Sequence, residues 1–355
     1  MIRRSRPERP DRPQMRLIKT GEIDLTDCRT NSGNVSGCAA GHSSGCPGSV
    51  GGNGSGCPGD TSDIHRKIAA HPCYSKEAQH RFGRIHLPVA PKCNIKCRYC
   101  DRKFDCVNES RPGVTSIVLT PEEALERTRD VIRDHPYISV VGIAGPGDPL
   151  ANPETIETFR LIKENFPQLT LCVSTNGLAL SDSFDDLLKA GVDTLTVTMN
   201  AFDPDIQKEI VDHVIYDGKH YTGREAAALL IEKQLEGIKK AVDAGIVVKI
   251  NTVLIPGIND QHIPALAEKM NSMGVYIMNI MSLIPQADLA HIKPATEEEK
   301  QALQDRCAVF VRQMKHCRQC RADAVGLLGN DMSGQIEGPR DCRRHRQERQ
   351  KPQKL

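Results

Sequence analysis

From about residue 84 onward the chain alternates short, β-rich apolar runs with longer stretches in which apolar residues recur every three or four positions. The runs at 85–90, 138–144, 169–174, 194–199, 247–254 and 276–282 are the candidate strands. Between them, 121–134, 153–165, 182–190, 226–244 and 263–272 have helical periodicity. Thr120, Pro121, Glu122 and Glu123 give the first of these helices an N-cap, a proline at its first position and acidic residues in its first turn. Six repeats of strand and helix predict an α/β fold with a parallel sheet curled into a partial (β/α)6 barrel. In such sheets chemistry gathers at the C-terminal ends of the strands.

Outside the barrel the pattern breaks down. Residues 1–63 begin basic and Pro-rich and continue in Gly and Ser with few large apolar side chains, which predicts a disordered arm. Its Cys28, Cys38, Cys46 and Cys57 are either incidental thiols or a device that passes metal; low complexity, which cannot preorganise ligands, favours the first. The stretch 202–224 is long for a strand–helix connection and carries His213, Tyr216 and His220, as a lid or a plain surface excursion. The predicted layout is an arm over 1–63, a barrel with a cysteine-bearing lead-in over 64–285, an extension over 286–330 and a disordered basic tail over 331–355. The extension holds a charged helix at 297–316 and the pair Cys317 and Cys320.

Charge adds little. The 47 Lys and Arg against 45 Asp and Glu leave a net +2, which gives no footing for bulk nucleic-acid binding. With 4% aromatics and no Trp, stacking platforms for single strands are scarce as well. No apolar run is long enough to cross a bilayer, and the N-terminus lacks the apolar stretch of a signal peptide. A cytoplasmic protein with no membrane partner is expected. Against that background the fourteen cysteines change the picture. In a reducing compartment, clustered thiols ligate metal or do redox chemistry more often than they form disulfides.

The densest cluster, Cys93-Asn-Ile-Lys-Cys97-Arg-Tyr-Cys100, directly follows the first predicted strand. Three thiolates on one tight loop hold three corners of a cubane iron–sulfur cluster, and the fourth iron stays open to a ligand offering amino and carboxylate groups. The competing reading is a zinc knuckle closed by Cys106.

This C-x3-C-x2-C spacing, with the aromatic Tyr99 before the last cysteine, resembles the signature of the radical SAM superfamily, and the likeness runs over about 84–285. It implies a [4Fe–4S] cluster on Cys93, Cys97 and Cys100 that cleaves S-adenosylmethionine (SAM) to start a radical reaction. Gly145-Pro-Gly147-Asp148-Pro stands where the superfamily has a Gly-Gly-Glu-Pro-like turn for the SAM amino group, with Asp for Glu and an extra Pro. By the same resemblance Ser174, Asn176, Thr198 and Asn200 serve SAM as small polar groups at strand ends. Asn251 also falls in the cofactor set, and Ile255 is the apolar contact on the adenine side.

The other cysteines resemble one branch of the superfamily, the nitrogenase cofactor biosynthesis proteins, over about 64–330. His71-Pro-Cys73-Tyr, Cys106, Cys172 and Cys317-Arg-Gln-Cys320 carry the likeness. It implies that two further [4Fe–4S] clusters are substrates, fused with a SAM-derived carbide and a sulfur into an [8Fe–9S–C] precursor of the cofactor. Cys73, Cys106, Cys172, Cys317 and Cys320 are too few to saturate two cubanes, and under-ligation eked out by a histidine suits clusters meant to be released. His86 is the candidate and His71 the runner-up, and a lone strand histidine is as readily a satisfied core residue. Cys172 reads equally as a small buried hydrophobe. Cys307 is expected to pack a helix and Cys342 to be a tail thiol. The implied partners are a cluster donor, an electron donor and a downstream cofactor carrier or scaffold. By the same resemblance many members carry a further C-terminal domain that accepts the finished cluster, and the 25 residues over 331–355 are not expected to form one. The rival readings are a radical SAM enzyme with auxiliary clusters acting on an organic or peptide substrate, and a non-catalytic cluster scaffold.

Overall fold

The computed structural model describes residues 61–106, 115 and 117–333. The expectations for the arm up to residue 60, its four cysteines, Cys342 and the tail from 334 lie outside the described residues.

In chain order the elements are α1 (Thr61–Ala69), β1 (Gly83–His86), β2 (Ile95–Cys97), α2 (Pro121–Asp134), β3 (Ile138–Ile143), α3 (Glu154–Asn165), β4 (Thr170–Thr175), α4 (Leu180–Lys189) and β5 (Thr194–Thr198). They continue with α5 (Pro204–Gln207), β6 (Val211–Tyr216), β7 (Lys219–Thr222), α6 (Gly223–Asp243), β8 (Val247–Leu254), α7 (Ile263–Ser272), β9 (Ile277–Ser282), α8 (Glu297–Cys307), β10 (Val325–Leu327) and β11 (Asn330–Asp331). The main sheet runs β11-β10-β1-β3-β4-β5-β8-β9. Its six strands β1, β3, β4, β5, β8 and β9 pair in parallel, as the sequence pattern predicts.

Burial explains the pattern. All eight residues of β8 are buried, because helices cover one face and the inside of the curl covers the other. Each large apolar side chain so enclosed contributes roughly 1.5–3 kcal/mol. The start of α2 is fixed by a capping box: Thr120 Oγ1 accepts from Glu123 N at 3.2 Å and Glu123 Oε2 accepts from Thr120 N at 2.8 Å.

Three segments differ from expectation. The stretch 202–224, read as a lid or a plain surface excursion, is not a long loop but α5 and a β6–β7 hairpin. Asp217 and Gly218 turn that hairpin with φ of 50° and 68°, the left-handed pair that suits a two-residue turn. Strand β6 then pairs antiparallel with β2, Ile95 opposite Val214 and Lys96 opposite His213. The helix expected over 297–316 stops at Cys307. Beyond it the chain runs extended beside β9, with Met278 N donating to Arg312 O and Met314 N to Met278 O, both at 2.8 Å. Finally, β10 joins the main sheet antiparallel to β1, Arg84 opposite Gly326.

Candidate active site

The chain leaves β1, passes Pro88-Val89-Ala90 and enters the cysteine loop at the C-terminal edge of the sheet. Cys93, Cys97 and Cys100 face one cavity of about 380 Å³, open to solvent. Cys106, Gly147, Asp148, Ser174, Thr175, Asn176 and Thr198 form the rest of its wall. The hairpin props the loop from outside: Ile215 N donates to Asn94 O at 2.8 Å and Arg98 N to Ile210 O at 2.9 Å.

The Gly145–Pro149 turn clamps the loop from the barrel side. Gly147 N donates to Ala90 O at 2.6 Å, Asp148 N to Lys92 O at 2.8 Å and Cys106 N to Pro146 O at 2.9 Å. A Cβ on Gly147 would lie 2.2 Å from Lys92 O, so the two backbones touch there and only glycine fits. Asp148 is consumed by the scaffold. Its carboxylate accepts from Thr175 Oγ1 at 3.0 Å, Asn176 N at 2.6 Å and Leu150 N at 3.0 Å. Burial outweighs those donors and pushes the carboxyl up to about 6. Asn176 donates to Asn94 Oδ1 at 2.7 Å and thereby steadies the loop beside Cys93.

Several candidates stand behind this wall and line neither of the two cavities described here. Asn200 donates to the Tyr99 hydroxyl at 2.9 Å and its Oδ1 accepts from Val253 N at 2.9 Å. Ile255 is fully buried among the apolar side chains that back the loop. Gly145 sets the turn without lining the cavity. Ser174 differs: its Oγ is buried with no hydrogen-bond partner among the described residues, at the shared wall of both cavities.

The second cavity, about 640 Å³ and also open to solvent, collects most of the remaining candidates. Cys73, Cys172, Cys317, Cys320, His71, His86, Ser174 and Asn251 all line it. Cys106 does not join them; the bond to Pro146 O holds it beside the three-cysteine loop. Cys307 is buried on α8, as expected for a packing residue. Two residues that the sequence reading passed over also line the second cavity, Arg84 and Lys249, with Arg318 as a third cation. Among the described residues no Asp or Glu lines it. Burial pushes the Cys73 thiol up to about 12 and raises Cys320, so both are held as neutral thiols, and a bound metal would supply the positive charge that draws these protons off.

Hydrogen bonding separates the two histidines. His86 Nδ1 lies 2.9 Å from Arg321 O, which can only accept, so Nδ1 carries the proton and Nε2 keeps a lone pair. Burial holds this imidazole near 4, hence neutral. Gly142, opposite His86 in register, leaves room for the ring: a Cβ there would lie 2.9 Å from His86 Cδ2 and 3.2 Å from Nε2. For His71 the roles reverse, because Cys73 N donates to its Nδ1 at 3.1 Å.

The donor set fits a multi-iron cluster at the first cavity. Among the described residues no three His, Cys, Asp or Glu side chains converge at the spacing of a single metal ion. Three thiols instead ring one cavity, one thiolate for each of three irons.

A curled parallel sheet with three cysteines on the loop after its first strand defines a class, and the family model described as "Radical SAM superfamily" matches residues 87–270. Among curated proteins, "FeMo cofactor biosynthesis protein NifB" of Methanocaldococcus infernus is 48% identical over 269 residues, covering 75% of this chain and 88% of that protein. The same-named proteins of Klebsiella pneumoniae and Azotobacter vinelandii are 51% and 47% identical over 76% of this chain. The chain spans 59% and 55% of those two relatives' lengths. The chain belongs to the radical SAM superfamily and, within it, to the NifB family.

Proposed function

We propose that this chain is a radical SAM enzyme of nitrogenase cofactor biosynthesis that fuses two [4Fe–4S] substrate clusters, with a SAM-derived carbide and one added inorganic sulfur, into an [8Fe–9S–C] product. The observation that supports this most is the second cavity, lined by four thiols and His86 and sharing Ser174 with the cavity of the cysteine loop. A radical formed at the first site thus has a thiol-lined neighbour.

In this reading Cys93, Cys97 and Cys100 hold the resident cluster. When bound, that cluster and SAM supply the reductive cleavage that starts the radical reaction. The Gly145–Pro149 turn offers backbone groups to SAM. Asn176 and Thr198 offer side chains, and Ser174 Oγ is free to donate. Tyr99, Asn200 and Ile255 serve SAM from behind, by fixing the loop and the end of β8. Cys73, Cys172, Cys317, Cys320 and His86 Nε2 hold the substrate clusters, and Cys106 stands between the SAM loop and the clamp. Few ligands for eight irons leave the substrates held but releasable. Asn251 belongs to this second set by position. Carbon from a SAM methyl group placed on a substrate sulfide then loses one hydrogen atom to the radical and its other two hydrogens as protons, their electrons staying with the carbon and the cluster iron it joins, and ends as carbide. The reading carries with it a cluster donor, an electron donor, a downstream cofactor carrier and a cytoplasmic setting, and divides the chain at about 63, 285 and 330.

Anaerobic incubation with substrate clusters, reductant and methyl-labelled SAM tests it. Label is expected in an acid-stable metal cluster, with 5′-deoxyadenosine formed. Label recovered only in an organic product, or no SAM cleavage at all, overturns the reading.

A further inference from the structure

Assigning iron ligation to His86 leaves His71 without a role in the second cavity. His71 is 2% exposed, and its ring stands edge-on to Tyr74 with centroids 4.5 Å apart. A backbone N–H can only donate, so the 3.1 Å contact from Cys73 N fixes a lone pair on His71 Nδ1. The single ring proton is then on Nε2. That atom is buried, belongs to a residue lining the cavity, and meets no hydrogen-bond partner among the described residues. A buried N–H is costly to leave unsatisfied, and such groups point to a ligand that satisfies them.

The cavity limits what that ligand is. Its lining offers thiols and the cations Arg84, Lys249 and Arg318, and among the described residues no carboxylate. An occupant with negatively charged sulfur matches both features. The cavity already shows nitrogen donors aimed at sulfur, since Arg84 Nε and Nη2 lie 3.3 and 3.2 Å from Cys320 Sγ. The bond from Cys73 N also fixes the His71 ring to the backbone of a thiol-bearing residue that lines the same cavity.

We propose that His71 is a positioning residue that donates its Nε2–H to a sulfur of an iron–sulfur cluster in the second cavity and does not ligate iron. The inference rests on the reading of that cavity as a seat for substrate clusters. A hydrogen bond to cluster sulfur favours the reduced, more negative state and so raises the reduction potential. His71 thereby biases the oxidation level at which a cluster is held.

Two variants separate the ends of the ring. His71→Asn keeps an acceptor for Cys73 N and removes the donor, whereas His71→Gln extends an amide N–H to the Nε2 position and loses the near acceptor. The full chain, labelled with 15N-histidine and reconstituted anaerobically with iron and sulfide, is assayed for iron per chain, cluster midpoint potentials and nitrogen coupling by pulsed EPR. Thermal melting monitors the fold. Wild type is expected to hold more iron than one [4Fe–4S] cluster. Both variants should keep that iron and the directly bonded histidine nitrogen. His71→Asn should move the second-cavity midpoint to more negative potential, and His71→Gln should stay near wild type. Loss of the nitrogen coupling in either variant makes His71 a ligand and overturns the proposal. So does an unchanged potential in both, or a shift in His71→Gln alone, which reduces the residue to a support for the Cys73 amide. A wild-type chain holding a single cluster would instead remove the reading of the cavity itself.

Discussion

Arg84 grips Cys320 with two prongs, Nε at 3.3 Å and Nη2 at 3.2 Å from the sulfur, while its third nitrogen reaches Gly326 O at 2.5 Å and Leu327 O at 3.0 Å. One buried guanidinium thus joins β1, the thiol pair and β10. Arg84→Met preserves the stem and removes every donor, leaving two carbonyls short of a partner. We expect a loss of about 2–4 kcal/mol in stability. Denaturant midpoints and iron counts check this, and Arg84→Lys should fall between, having charge without the fork. A methionine variant as stable and as iron-rich as wild type would show that the grip is incidental.

The two cavities should fail independently. Cys97→Ala removes a thiol from the cysteine loop and is expected to abolish SAM cleavage. Cys317→Ala alters only the second cavity, so SAM cleavage persists while iron beyond the first cluster drops. 5′-Deoxyadenosine yield and iron per chain, measured on the same samples, give both readings. Loss of SAM cleavage in Cys317→Ala would mean that the cavities are one site.

The hairpin makes a third case. Ile215 is 47% exposed, so its side chain contributes little, yet its N–H holds Asn94 O inside the cysteine loop. Ile215→Pro deletes that donor; Ile215→Ala retains it. We expect the proline variant to lose about 1–3 kcal/mol and to release its first cluster faster on chelator challenge, with the alanine variant near wild type. Equal release rates would separate the hairpin from the loop.

The barrel was legible because β-prone, largely apolar runs alternate with segments of helical periodicity, and because Cys93, Cys97 and Cys100 lie within one loop. The end of α8 was not. Cys307, Val311 and Met314 are buried at helical spacing, which imitates a continuing helix. Pairing of Arg312 and Met314 with Met278 decides the conformation instead, and no local pattern encodes that partner. Strand β7 is mostly exposed, so it lacks apolar alternation, but Asp217-Gly218 between β-prone residues was a readable turn signal. Within the site, the thiols were legible by type. Assigning Cys106 to the first cavity and Cys172 to the second required the sheet register and the clamp. Arg84 and Lys249 carried a weak signal, single cations inside strands that otherwise avoid charge.

Gly142 offers the sharpest test of His86. The two face each other in parallel register, and an alanine Cβ would come within 2.9 Å of the imidazole while its next backbone neighbour, Cys172 O, lies at a comfortable 3.8 Å. The clash is therefore with the ring alone. Gly142→Ala should cost about 1–3 kcal/mol by overpacking and should turn Nε2 away from the cavity, eliminating histidine nitrogen coupling at the second-cavity cluster. In a His86→Ala background the ring is gone, and the same substitution should be neutral or slightly stabilising, since alanine in a strand loses less backbone entropy than glycine. A thermodynamic cycle over the four proteins measures this coupling. If Gly142→Ala costs as much without the imidazole as with it, the glycine serves the sheet and not the ring. The placement of His86 Nε2 beside Gly142 then loses its structural reason.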